Sequence, residues 1–160
     1  YLLLGPPVGD YSGFPAITVR PVGQGKVAYV AADIFYAYSL NNQWNFKHIA
    51  ANLIRLLAPD LPVEIEAPAW LEVLHTRQPE LGRQIVHLVN SHGNRPIDRS
   101  NVCVEQVLAI RDVTLRLRLA QAPGAVSLEP QSGKADWTYE SGILTVRVPE
   151  VRIHTAVVIS

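Results

Sequence analysis

The pattern of apolar and polar positions changes character near residue 60 of this chain. Before that point, residues 16–20 alternate with the period of two that is typical of a half-buried strand, and residues 27–32 are almost continuously apolar, as in a strand covered on both faces. Gly23 and Gly25 lie between the two runs and indicate a turn, because glycine adopts positive φ angles without steric cost. This part of the pattern predicts a β-hairpin.

One amphipathic helix is predicted to follow the hairpin. Its apolar positions recur every three or four residues, which makes a stripe of period 3.6, and they are Phe46, Ile49, Ala50, Leu53, Ile54 and Leu57. A hairpin and one helix do not close an α/β layer, because parallel strands are joined by βαβ crossovers of about 30 residues. We therefore expect residues 1–60 to be the C-terminal remnant of an α/β domain whose main body lies upstream.

Short strands separated by turn residues dominate the chain from residue 61 onward. Residues 63–66, between Pro62 and Pro68, are predicted to be a short strand in the linker between the two parts. The further strand-like runs are residues 70–76, 84–90, 113–119, 125–128, 137–139, 143–148 and 153–159. About seven such strands at regular spacing predict a mainly β chain, with an antiparallel β-sandwich over residues 61–160 after the small α/β part.

Charge and cysteine content exclude several classes of function. The chain has 14 basic and 14 acidic residues, so it lacks the charge excess expected of a nucleic-acid-binding protein. No apolar run approaches the roughly 20 residues of a membrane-spanning helix, and we expect neither nucleic acid nor a membrane as a partner. Cys103 is the only cysteine, which excludes an internal disulfide and leaves the compartment open, with the cytoplasm slightly favoured. The absence of methionine leads us to expect a processed or excised segment.

The residues do not form a pattern that indicates catalysis. A glycosidase needs two carboxylates about 5–10 Å apart across the sugar, whereas Glu64 and Glu66 share one strand face and several other acids lie near turns. Cys103 has no glycine-containing elbow beside it and is expected to be a small apolar filler. The histidines are scattered, and His87 and His92 are the closest pair along the chain. We therefore expect no catalytic residue, no metal and no cofactor.

Two groups of residues are candidates for ligand binding. Asp33 follows the C-terminal end of the apolar strand, where open α/β sheets bind ligands, and with His48 it is a candidate small-molecule site; a helix cap is the alternative role of Asp33. Trp70, Trp137 and Tyr139 are candidates for a carbohydrate-binding platform, since apolar sugar faces stack on aromatic rings. Trp137 and Tyr139 lie on the same side of their strand, which a core-facing pair would also show.

Five short segments together resemble a known family. Residues 23–30, with the sequence Gly-Gln-Gly-Lys-Val-Ala-Tyr-Val, and the helix end at residues 51–57 resemble the end of a glutamine-amidotransferase-like domain. That domain follows the catalytic barrel in family 42 β-galactosidases, where it is called the trimerisation domain, and in related hypothetical glycoside hydrolases. Residues 68–73, 84–90 and 148–154 are similar to strands of the β-sandwich that closes those proteins.

The resemblance implies a role in assembly. In such proteins the amidotransferase-like domain generally lacks amidotransferase activity and assists oligomer assembly, and the sugar chemistry belongs to an upstream barrel. His87 and Asn90 match the family-like strand, and we expect structural hydrogen bonds from them. We therefore expect a non-catalytic accessory module that packs on the parent protein's catalytic domain or on a neighbouring subunit of a homo-oligomer. The alternative is a carbohydrate-binding β-sandwich that uses the exposed aromatic residues.

Overall fold

A computed structural model of the chain describes residues 13–41, 44–91, 106–130 and 133–160. The chain divides into two compact units, Tyr1–Asp60 and Leu61–Ser160. The elements are mainly β-strands, as the sequence predicts, and all strand pairs are antiparallel.

The first unit begins with the predicted hairpin. Strand β1 (Ile17–Val22) pairs with β2 (Gly25–Val30), and Val22 faces Gly25 across the pair, so that Gly23 and Gln24 form a two-residue turn. Gly23 has a φ of 58°, which is left-handed and favours glycine. The predicted helix is also present as α2 (Trp44–Leu57), which packs against β2.

The first unit contains a second helix that the sequence pattern did not predict. Helix α1 (Ile34–Asn41) packs against α2, and its apolar side chains are distributed around the helix rather than along one stripe. The backbone N–H of Tyr36 donates a hydrogen bond to Asp33 Oδ1 over 3.0 Å, so Asp33 caps the start of α1. The prediction of a single helix was therefore wrong, and the alternative role of Asp33 as a helix cap is confirmed.

Burial is sparse in the first unit. Among its described residues only Ile34 is buried, and α2 buries no side chain completely. The apolar strand β2 was expected to be covered on both faces, but Val27 and Tyr29 are exposed. In the described residues α2 packs against β2, and the half-buried Ala28 and Val30 alternate with the exposed Val27 and Tyr29, so this strand is covered on one face and not on both.

The second unit is a sandwich of two sheets. The four-stranded sheet has the order β3 (Val63–Glu66), β6 (Ile110–Arg118), β10 (Ile143–Val151) and β9 (Asp136–Glu140). The five-stranded sheet has the order β4 (Leu71–Gln78), β5 (Arg83–Asn90), β11 (His154–Ile159), β7 (Val126–Glu129) and β8 (Gly133–Lys134). A 3₁₀ turn at Pro79–Leu81 joins β4 to β5.

The described residues of the sandwich form nine strands rather than about seven. Strand β3, predicted to belong to a linker, is an edge strand of the four-stranded sheet and pairs with β6 along its whole length. Its Val63 and Ile65 side chains pack against the core, and Glu64 and Glu66 are exposed. The ninth strand, β8, has only two residues, too few for alternation to reveal it.

The core lies between the two sheets and follows from strict alternation along the strands. In β6, Val113, Leu115 and Leu117 are buried, and the residues between them point away from the core. The facing side chains come from the other sheet, including Leu88 of β5 and Val157 of β11, both at zero exposure. Burying each large aliphatic side chain is worth about 1.5–3 kcal/mol, so this unit holds its own stabilising core.

Candidate binding sites

The three candidate aromatic residues lie in different environments. Trp70 precedes β4, the edge strand of the five-stranded sheet, and 42% of it is exposed. Its carbonyl oxygen accepts hydrogen bonds from the Ser91 backbone N–H (3.0 Å) and from Ser91 Oγ (2.6 Å), which fixes the backbone there. Trp137 and Tyr139 belong to β9 in the other sheet. The three residues therefore do not share a strand or a sheet.

Trp137 and Tyr139 are partly buried and pack against the hydrophobic core. The Tyr139 hydroxyl donates a hydrogen bond to the Leu119 carbonyl oxygen over 3.1 Å, which satisfies its polar end. These contacts correspond to the core-facing alternative for the pair. A sugar-stacking role for these residues and for Trp70 stays a prediction.

The candidate site at Asp33 and His48 consists of two exposed side chains with local contacts. Asp33 accepts the capping hydrogen bond at the start of α1. His48 lies one turn after Trp44 in α2, and the two rings meet edge to face, with centroids 5.1 Å apart and planes at 85°. Each side chain thus has a role within its own helix, and a shared small-molecule site stays a prediction.

The sandwich carries a groove of about 530 Å³ that the sequence analysis missed. Asp112 of β6 and Pro149 of β10 lie opposite each other in the sheet and both line the groove. Their positions follow from the neighbouring pairs of the ladder, Val113 with Val148 and Arg111 with Glu150. Proline has no N–H to offer the ladder, and Asp112 adopts a φ of 55° there. The groove is lined by Asp112, Val113, Thr114, Leu128, Lys134, Asp136, Arg147, Val148 and Pro149.

A smaller groove of about 210 Å³ adjoins the first one. Both are lined by Asp136 and Arg147, which are cross-strand partners on β9 and β10. Arg147 Nε lies 4.0 Å from Asp136 Oδ2, and both side chains are largely exposed. Trp137, Thr138 and Thr145 complete the described lining of the smaller groove. Pro149, inside an otherwise strand-like run, was the one local sequence signal of an irregularity here.

A cluster of one acid and two arginines lies where β6 and β10 pair. The Glu150 carboxylate forms an ion pair with Arg111 Nη2 at 3.3 Å and accepts a hydrogen bond from Arg152 Nε. That hydrogen bond, with the charges of Arg152 and Arg111, holds the pKa of the Glu150 carboxyl below its ordinary value of 4.5. The general acid of a glycosidase needs a pKa shifted in the opposite direction, and the absence of a catalytic residue stays a prediction.

Two histidines that are far apart in sequence meet on the five-stranded sheet. His87 Nδ1 and His154 Nε2 are 3.1 Å apart, within hydrogen-bond distance, and their rings stack with centroids 5.3 Å apart. His92, the neighbour considered from the sequence, lies outside the described residues, as does Cys103. The described residues contain no group of three or more histidine, cysteine or acidic side chains that could hold a metal ion.

Asn90 has the structural role that the sequence analysis expected. Its side chain is buried, and Nδ2 donates hydrogen bonds to the carbonyl oxygens of Leu108 (2.8 Å) and Arg152 (2.7 Å). These bonds tie the end of β5 to the segment before β6 and to the turn between β10 and β11.

In the described ranges, no helix has both the length and the apolar character needed to span a membrane.

Comparison with known proteins shows which solved structure has a similar fold. No family model matches the chain, and no curated protein matches it. The chain is similar to a solved structure titled α-L-fucosidase isoenzyme 2 from Paenibacillus thiaminolyticus, with a TM-score of 0.75 and 22% sequence identity. The likeness covers 94% of this chain and 22% of that one. The chain thus has the fold of a segment of a glycoside hydrolase, and it spans about a fifth of that protein's length.

Proposed function

We propose that this chain is a non-catalytic accessory and assembly module of a larger glycoside-hydrolase-like protein. The observation that carries the proposal is the apolar surface of the first unit. At least nine large apolar side chains between residues 14 and 44 are more than a third exposed, among them Phe14 (85%), Trp44 (68%) and Phe35 (66%). Large apolar side chains exposed in this number within one small unit are what we expect of a surface that contacts another protein.

The charge of this surface supports a protein neighbour. Between residues 13 and 41 the only charged side chains are those of Arg20, Lys26 and Asp33, and Asp33 is used as a helix cap. A surface with few charges and many aromatic residues has the composition of an interface core. The likeness to a segment of a much longer glycoside hydrolase chain supports the view that the neighbour is another domain of the same protein or a second subunit.

The finer parts of the proposal rest on the family resemblance. We propose that the first unit belongs to an amidotransferase-like assembly domain, that the sugar chemistry takes place in an upstream catalytic domain, and that the parent protein is a homo-oligomer. The lowered pKa of the Glu150 carboxyl, which is paired with Arg152 and Arg111, is unsuited to the general acid of a glycosidase at that position.

The test measures the surface and the activity separately. The purified chain is predicted to bind the apolar dye ANS or to self-associate, because its exposed apolar side chains lack their neighbour. The double variant Tyr29→Lys/Phe35→Lys, which changes two of these exposed side chains, should clearly weaken whichever property is observed. The control Leu81→Lys changes an equally exposed residue of the sandwich and should leave that property unchanged.

Two results would contradict this proposal. One is a monomeric chain that binds no dye, because the apolar surface would then need no neighbour. The other is hydrolysis of any member of a panel of aryl glycosides by the purified chain, since the proposal assigns it no turnover. Light scattering measures the oligomeric state, ANS fluorescence measures dye binding, and a chromogenic assay measures hydrolysis.

Carbohydrate binding through exposed aromatic residues is the second candidate function. The exposure of Trp70 and the position of Trp137 in the wall of the smaller groove favour it. It predicts a change in tryptophan fluorescence on titration with oligosaccharides, and this change should disappear in Trp70→Phe if Trp70 provides the platform. A glycan array without any bound member would remove this candidate.

A further inference from the structure

The 530 Å³ groove of the sandwich has the size and composition of a small-ligand site. Its inner wall is apolar, since Val113, Leu128 and Val148 contribute there and are themselves almost completely buried. Its rim is polar and carries two acids and two bases. Ligand sites in proteins are commonly clefts of about 300–1,000 Å³ with an apolar lining and a few converging polar groups.

The charges of the rim restrict the class of ligand. The ionised carboxylates of Asp112 and Asp136 can accept hydrogen bonds but not donate them. The charged groups of Lys134 and Arg147 can donate hydrogen bonds but not accept them. An anionic ligand would be attracted by Lys134 and Arg147 but repelled by Asp112 and Asp136. A cationic ligand would be attracted by the two aspartates but repelled by the two basic side chains. A hydroxyl group both donates and accepts, so a ligand with several hydroxyls can bond to all four side chains.

Two further observations concern the hydrogen-bonding groups of the rim and its backbone. In the part of the chain that the structure describes, neither Asp112 nor Lys134 forms an ion pair, and Asp136 meets Arg147 only at 4.0 Å. Asp112 is also held at a φ of 55°, a backbone conformation that is costly for a residue with a side chain and that recurs at binding sites. Its partner Pro149 keeps the ladder open at this point.

We propose that this groove binds a neutral, polyhydroxylated ligand, a saccharide unit, with Asp112, Lys134, Asp136 and Arg147 as the polar contacts. The adjoining groove extends the site along the sheet past Thr138 and Thr145, and Trp137, whose side chain packs against the core, also lines it, so its signal reports on a ligand bound there. A sugar has an apolar ring face as well as its hydroxyls, which suits the apolar inner wall. The proposal deepens the carbohydrate-binding candidate by placing the ligand in this groove and not at Trp70, and it does not depend on the assembly role.

The test uses the complete chain, labelled with ¹⁵N, and a panel of neutral mono- and oligosaccharides. The chain has three tryptophans, so its spectrum has three indole N–H signals, which single Trp→Phe variants assign. Binding in the groove should shift the signal of Trp137 in a saturable way and leave those of Trp44 and Trp70 unchanged. The variants Asp112→Asn and Asp136→Asn should each weaken binding about tenfold, since each removes a charged acceptor.

Glu140→Gln is the matched control, because it makes the same kind of change on the same strand as Asp136 but lies outside both grooves. It should bind as the unchanged chain does. The proposal is overturned if no saccharide shifts the Trp137 signal, if the shift appears at Trp70 instead, or if Glu140→Gln weakens binding as much as Asp136→Asn. Tighter binding of an acidic sugar than of its neutral counterpart would also overturn it.

Discussion

The two units of this chain differ in how far they bury their apolar side chains. The sandwich places alternate residues of β6 and β10 between two sheets, and Leu115, Leu117, Leu144 and Val146 have no exposed surface. The first unit has a comparable supply of apolar residues, but among its described residues only Ile34 is buried, and none has zero exposed surface. The difference shows that apolar content alone does not make a core. Side chains must also be enclosed from both sides, and the contacts of α2 with β2 and with α1 leave most of the described apolar side chains of the first unit partly or largely exposed.

The largest expected effect on stability comes from replacing leucine by alanine in the sandwich, and the same replacement in the first unit should have little effect. Leu115→Ala removes a fully buried side chain from the sandwich and should lower the free energy of unfolding by about 2–5 kcal/mol. Leu56→Ala changes a side chain of α2 that is 46% exposed, and its effect should stay within about 0.5 kcal/mol. Urea denaturation followed by circular dichroism measures both. Equal losses would remove the distinction between the units.

A polar substitution sharpens the same comparison. Asn90→Asp replaces a buried donor with a carboxylate that faces the carbonyl oxygens of Leu108 and Arg152, so it should cost about 2–3 kcal/mol. Asn52→Asp makes the identical change on the exposed side of α2 and should be nearly neutral. A neutral Asn90→Asp would mean that these hydrogen bonds contribute nothing to the end of β5.

A stabilising change is expected inside the sandwich. The Thr155 hydroxyl is buried and has no hydrogen-bond partner in the described ranges, so Thr155→Val should raise the free energy of unfolding by about 1 kcal/mol. Thr18→Val, on the exposed strand β1, should change it by less than about 0.5 kcal/mol. A loss of stability in Thr155→Val would indicate that the hydroxyl does have a partner.

The smallest expected effect concerns pH. Because the folded chain lowers the pKa of the Glu150 carboxyl, its ionised form stabilises the sandwich above pH 4.5, and this contribution disappears as the pH falls through the lowered pKa. Glu150→Gln should therefore be less stable than the unchanged chain at pH 7, and the difference should vanish in acid. In an Arg152→Gln background the pH dependence should be reduced. A difference that stays constant with pH contradicts this account.

Strict alternation made most of the sandwich predictable, whereas features formed by distant residues were not. Residues 113–119 were expected to form a strand, and β6 covers Ile110–Arg118, because one face is buried and the other exposed. Helix α1 was missed because apolar side chains surround it, which gives no period of 3.6. The groove was missed because Asp112, Asp136 and Arg147 meet only when β6, β10 and β9 pair in register.

The most direct test of the central difference between the units is native-state hydrogen exchange on the complete chain. If only the sandwich holds its own core, amide protons of β5, β6, β10 and β11 should exchange at the free energy of global unfolding, and those of β1, β2, α1 and α2 should exchange far faster through local opening. Equal protection of both groups would contradict the account, because the first unit would then be as well stabilised as the sandwich.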